Sequence, residues 1–232
     1  MSRDLAAHGR RARAAIFDRL GDATPPVPKP APALAPWYAA QAAAHTGTDR
    51  VARFVAAATA WHAQVVETTP TAWADAVADL VAEHGIRNPM AGPDTAIAAA
   101  LDARLARTAA RLHWYARDLE TDKDLLFDTV DCGVTTARGG IAETGSLVLW
   151  PDAREPRTLS LVPPMHIAVL HADALVDTLH EAMTGQRWAD ALPTNALLVT
   201  GPSKTADIQR LLVYGAHGPK RLAIVLIRND PS

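Results

Sequence analysis

The run Leu222-Ala223-Ile224-Val225-Leu226-Ile227 is apolar at every position, so a strand built from it can show neither face to water. A sheet that holds such a strand must be covered on both sides. Working back along the chain, 196–200, 166–171, 158–162, 146–150 and 132–136 are short and apolar or β-branched, and read as strands. Helical periodicity fills 172–183 and 205–214 between them. In the first half, helical patterns at 49–61, 70–84 and 95–108 alternate with short apolar runs at 63–67, 86–88 and 111–115. Asp49 and Thr69 stand where N-caps belong, and Gly85 where a helix stops. This alternation predicts an α/β fold, a three-layer α/β/α sandwich with a mixed, largely parallel sheet. The mixed character rests on 151–157, which is too short for a parallel crossover, so 146–150 and 158–162 are expected to pair antiparallel.

The amino-terminal part differs. Leu5, Ala12, Ile16 and Leu20 fall at helical spacing among arginines, with Gly21 placed to end the helix. Pro25, Pro26, Pro28, Pro30, Pro32 and Pro36 then favour an extended spacer. The expected organisation is a helix with a proline-rich linker over 1–36 and one α/β domain over 37–232.

A net charge of −2 without a sustained basic block argues against nucleic acid as a partner. The single Cys132 excludes a disulfide framework and any Cys-only metal centre within this sequence. Nothing approaches the roughly 18 apolar residues of a membrane span, and no signal-peptide core is present, so a cytoplasmic protein is expected. Among the nine histidines none forms H-E-x-x-H, and His166 and His171 point to opposite faces of their strand, so no metal site is expected. The G-x-S-x-G and G-x-G-x-x-G signatures are also missing.

Three stretches carry chemistry. In Gly139-Gly140-Ile141-Ala142-Glu143-Thr144-Gly145-Ser146, glycines bracket one carboxylate between two strands. Glycine permits positive φ and close backbone approach of a ligand. Glu143 is therefore the candidate nucleophile or general base, with Gly140, Thr144 and Gly145 around it. The plain structural alternative is a tight turn whose Glu faces water.

In Val199-Thr200-Gly201-Pro202-Ser203-Lys204-Thr205-Ala206-Asp207, a strand runs into a Gly-Pro turn and an expected helix. Free N–H groups of that helix start, with Ser203, Lys204 and Thr205, would make an anion cradle for a carboxylate or phosphate. Capping alone, with Asp207 complementing the helix dipole, is the alternative. The third stretch, Tyr214-Gly215-Ala216-His217-Gly218-Pro219, reads as a helix stop that leaves His217 unexplained. A ten-residue helix would hold His217 about 15 Å from Ser203, at the opposite sheet edge, unless the last strand is antiparallel or a second copy supplies one of them.

Taken together and in this order, Gly140-Ile141-Ala142-Glu143-Thr144-Gly145, Gly201-Pro202-Ser203-Lys204-Thr205-Ala206-Asp207-Ile208 and His217-Gly218-Pro219 resemble the lactate utilisation protein C family (LutC/YkgG, the LUD domain). The similarity runs from Trp37 to Ile227. The family usually has Arg where this chain has Lys204, which keeps the charge and gives up bidentate geometry. The resemblance implies a fold similar to the NagB/RpiA/CoA-transferase-like group and membership of a system that oxidises L-lactate to pyruvate. It also implies partner subunits that carry the iron–sulfur clusters, with no cofactor in this chain. One reading is an accessory subunit that binds a small anionic ligand through the Ser203–Asp207 cradle, and a homo-oligomer is compatible with it. The other is a CoA-transferase-like or sugar-phosphate-isomerase-like enzyme that uses Glu143.

Overall fold

The structure, a computed structural model, describes residues 2–22, 32–43, 49–115, 119–206, 212–215 and 217–229. In chain order its elements are helix α1 (Ser2–Asp22), α2 (Leu34–Ala43), α3 (Arg50–Ala60), strand β1 (Gln64–Thr68), α4 (Trp73–Glu83), β2 (Pro89–Ala91), α5 (Ala98–Leu105), β3 (His113–Trp114) and α6 (Leu119–Asp124), which continues as a π-helical turn (Leu125–Thr129). The second half holds β4 (Cys132–Thr136), β5 (Gly139–Ile141), β6 (Ser146–Leu149), α7 (Arg157–Leu161), β7 (Met165–His171), β8 (Leu175–Val176), α8 (Leu179–Gly185), β9 (Leu197–Val199), β10 (Lys204–Ala206), β11 (Leu212–Tyr214) and β12 (Arg221–Ile227). The chain divides into two units, Met1–Trp37 and Tyr38–Ser232. In the first, α1 leaves Ile16, Phe17 and Leu20 exposed.

In the second unit, six strands in the order β1-β12-β7-β4-β2-β3 pair parallel throughout. The β12 run explains why. Ala223, Val225 and Ile227 face one core with Val77, Leu80 and Val81 of α4 and Leu101 and Leu105 of α5. Leu222, Ile224 and Leu226 face another with Phe54 and Ala58 of α3 and Leu147 and Leu149 of β6. Both faces are buried, so the period-2 alternation meets apolar surroundings on either side.

The outer layer over the second face is not helical alone. Beside α3 it holds a four-stranded sheet, β8-β5-β6-β9, in which β5–β6 and β6–β9 are antiparallel and β5–β8 is parallel. That sheet supplies the antiparallel pairing. The expected strand 158–162 is helix α7, so β6 pairs with β5 and β9 instead. Pro156 has a φ of −66° that suits a helix start, and Pro163-Pro164 stops the helix after one turn. The expected helix 172–183 is broken too. A 3₁₀ turn (Ala172–Ala174) and β8 precede α8, where Thr178 Oγ1 accepts from Glu181 N at 3.2 Å.

Asp49 caps α3, its Oδ1 accepting from Val51 N at 2.9 Å. Thr69 does not cap α4, which begins at Trp73 behind Ala72. Gly85 follows that helix with φ +65°, the conformation expected of it. No helix among the described residues is long and apolar enough to cross a membrane.

Candidate functional site

A cavity of about 380 Å³ opens at the amino ends of β12 and β7, with Trp61 and His62, just past the end of α3, on its wall. Gly201, Pro202, Ser203 and Lys204 line it from one side and His217, Gly218 and Pro219 from another. These two stretches meet because 205–206 and 212–214, the described ends of the expected helix, are strands. Strands β10 and β11 make an antiparallel hairpin, with Lys204 opposite Tyr214. Ser203 N donates to Pro219 O at 2.8 Å, and Gly215 N to Ser203 O at 2.9 Å. Gly218 backs onto Ser203, where an added Cβ would lie 3.2 Å from the serine Cβ. At both ends of the expected helix a strand ladder stands instead, favoured locally by Thr205 and the run Leu212-Val213-Tyr214.

This corrects the cradle. There is no helix N-terminus at Ser203, so the amides of a helix start are not what an anion would meet. The expected 15 Å separation of Ser203 and His217 is corrected as well, since both line one cavity while the last strand stays parallel. Thr205 lies in β10, and Asp207 falls outside the described residues.

The acidic turn has a different place. Glu143 is exposed and is not among the residues lining the cavity. Its N–H donates to Asp177 O at 3.0 Å. Asp177 takes the Arg50 guanidinium through Nε (3.1 Å) and Nη2 (2.8 Å) and also pairs with Arg53. Hydrogen bonding from Arg50 lowers the Asp177 carboxyl below its ordinary value. Gly140 is a packing residue, enclosed by Leu175, Phe54 and Leu170. At Gly145, with φ +67°, a Cβ would stand 2.2 Å from Ala58 N. At Gly201, with φ +75°, it would stand 2.1 Å from Trp61 O. Both turns therefore press their backbones on α3 and its carboxyl end, which only glycine allows.

The two motifs communicate through hydroxyls. Thr144 Oγ1 lies 2.7 Å from Ser146 Oγ, which lies 2.5 Å from Thr200 Oγ1, and Thr200 lines the cavity.

Residues beyond those expected complete the walls. His62 and Leu222 contribute, and so does the fully buried His166 of β7. Its Nε2 is 2.8 Å from Thr135 Oγ1, and burial pushes the ring down to about 4, so it is neutral near pH 7. No carboxylate lines the cavity among the described residues, and Lys204 forms no ion pair among them. Lys220 and Arg221 line an adjoining cleft of about 250 Å³ that shares His62, Pro202 and Leu222. The local field favours an anion.

Open parallel sheets usually take ligands at the carboxyl ends of their strands. A cleft of about 290 Å³ does lie there, beyond β4, but its polar groups are committed to one another. Asp152 binds Arg154, Glu155 accepts from Thr136 N and Oγ1, and Arg138 stacks over Trp150 with its Nε on Gln186. The amino-edge cavity instead keeps a cation without an ion pair and a ring nitrogen without a hydrogen bond among the described residues.

Residues 51–227 match the LUD domain family. An uncharacterised protein of Neisseria meningitidis serogroup B is 35% identical over 183 residues, covering 78% of both chains. Lactate utilization protein C 1 of Bacillus mycoides is 28% identical over 72% of this chain and 74% of its own. The uncharacterised protein YkgG of Escherichia coli is 36% identical over 42% of this chain and 44% of its own. A crystal structure of a DUF162 family protein from Deinococcus radiodurans shares the fold, with a TM-score of 0.55 at 19% identity over 77% of this chain and 96% of that one.

Proposed function

The chain belongs to the LUD domain family, and from that premise we propose that it is a component of a lactate utilisation system, an accessory subunit that holds a small anionic ligand in the amino-edge cavity. The observation that carries the reading is the meeting of Ser203, Lys204 and His217 around one cavity without a carboxylate among the described residues. Relatives named lactate utilization protein C support the metabolic context. Lys204 supplies the charge, Ser203 and Thr200 supply hydroxyls, and Leu222 with Leu198 offers an apolar wall to a short carbon chain. In this reading the redox centres that take electrons from lactate sit in partner subunits. The buried Cys132, whose thiol burial pushes up, acts as a core side chain.

Titration calorimetry with L-lactate, pyruvate and inorganic phosphate tests the reading. It predicts saturable binding of at least one of these anions, weakened about tenfold or more in Lys204→Ala, the scale of a charge-assisted contact. Absence of binding by all three contradicts it.

A second reading, a CoA-transferase-like or sugar-phosphate-isomerase-like enzyme acting through Glu143, draws on the Thr144–Ser146–Thr200 hydroxyl chain that joins its turn to the cavity. Incubation with acyl-CoA followed by hydroxylamine separates the two. A trapped adduct that Glu143→Gln abolishes favours this enzyme, and the accessory reading predicts none.

A further inference from the structure

We propose that His166 is a ligand-contacting residue: through Nδ1 it reads an uncharged oxygen, hydroxyl or carbonyl, on a small carboxylate whose charged end lies toward Lys204 and Ser203. This rests on the reading of the cavity as an anion site and names the ligand class as hydroxy or oxo acids. A ring lodged between buried strands normally has both nitrogens satisfied. His166 is 0% exposed and lines the cavity, yet Nδ1 has no hydrogen-bond partner among the described residues while Nε2 is taken by Thr135. An unpaired buried polar atom destabilises the fold, and a strand enclosed on both faces has no need of a histidine at that position. Neighbouring positions at the same level of the sheet are Leu222 and Gly133, which offer the ring no polar side chain.

The charged and the neutral polar groups of the cavity differ in exposure. Lys204 and His217 are exposed at its rim, Ser203 is half-buried, and His166, Ser160 and Leu222 are buried. The Ser160 hydroxyl is itself committed to Arg157 O at 3.0 Å. A neutral imidazole suits a neutral oxygen and does not compete with Lys204 for the carboxylate. With Nε2 bonded to the Thr135 hydroxyl, either tautomer leaves Nδ1 a role, as donor to a carbonyl or as acceptor from a hydroxyl.

The test compares L-lactate with propionate, which lacks only the hydroxyl, by titration calorimetry on wild-type, His166→Asn, His166→Gln and Lys204→Ala proteins. An asparagine side chain places its amide near the Nδ1 position, and a glutamine near the Nε2 position. The inference predicts that wild-type protein prefers L-lactate by about tenfold, the scale of one buried hydrogen bond. His166→Asn keeps a preference, His166→Gln loses it, and Lys204→Ala weakens both acids alike. If His166→Gln keeps the preference and His166→Asn loses it, the ring only braces Thr135, and the inference is overturned while the anion reading stands. Equal wild-type affinities overturn it in the same way. Failure of both acids to bind sinks the reading and the inference together. Should the variants not fold, long-range ¹H–¹⁵N histidine spectra of the wild-type protein decide: Nδ1 of His166 must shift with L-lactate and not with propionate.

Discussion

At His166 the lowered pKa fixes a sign for acid stability. Between about 4 and the ordinary 6.5, the unfolded chain binds a proton there that the folded chain refuses, so stability rises with pH across that window. Lowering the pH from 6.5 to 4 should remove about 3 kcal/mol through this ring, to order of magnitude. Chemical denaturation at stepped pH should show that slope in the wild-type protein and a flatter one in His166→Gln. Glycines give a second residue-scale prediction. Gly201→Ala and Gly145→Ala force a side chain to positive φ and against the backbone of α3 or Trp61, so each should cost about 2–4 kcal/mol, read as a lowered urea midpoint. The glycines were legible from sequence as turn positions. What they press against was not, because α3 is more than eighty residues away from Gly145 in the chain. His166 did leave a sequence signal: a histidine inside a run whose other members need burial on both faces. That signal differs from ligand spacing between histidines, which His166 and His171 lack.

Among elements, α3 carries the site without lining most of it. Its carboxyl half and Trp61 seat both glycine turns, and its amino half is tied to Asp177 by Arg50 and Arg53. Because the Asp177 pKa is lowered, the stability it lends is present above the ordinary carboxyl value and lost as pH falls through the lower folded one. Asp177→Asn should cost about 1 kcal/mol near neutral pH, and the cost should shrink toward pH 3. Periodicity foretold α3, with its Asp49 cap, and the buried strands β7 and β12, since long apolar runs leave few alternatives. It failed at 158–162 and at the described ends of 205–214. In the first, prolines on both sides set a one-turn helix; in the second, a hairpin anchored by Pro219 overrode a helical spacing.

For the whole molecule, the cores that hold the parallel sheet and its two outer layers draw on residues from Phe54 to Ile227. A chain beginning at Tyr38 should therefore fold and keep its anion affinity within about twofold of the full chain; loss of cooperative unfolding would contradict this. The α/β class was readable from alternation, but the amino-edge position of the cavity was not. It depends on β9 and the β10–β11 hairpin laying the 201–204 turn against the start of β12, a contact between segments that no periodicity encodes. The account turns on where the ligand sits, so a crystal structure grown with L-lactate is its most direct test. Density in the amino-edge cavity, with an oxygen about 3 Å from His166 Nδ1 and the carboxylate toward Ser203 and Lys204, is the predicted result. Density at the Glu143 turn or beyond β4, with only water beside His166, would contradict it.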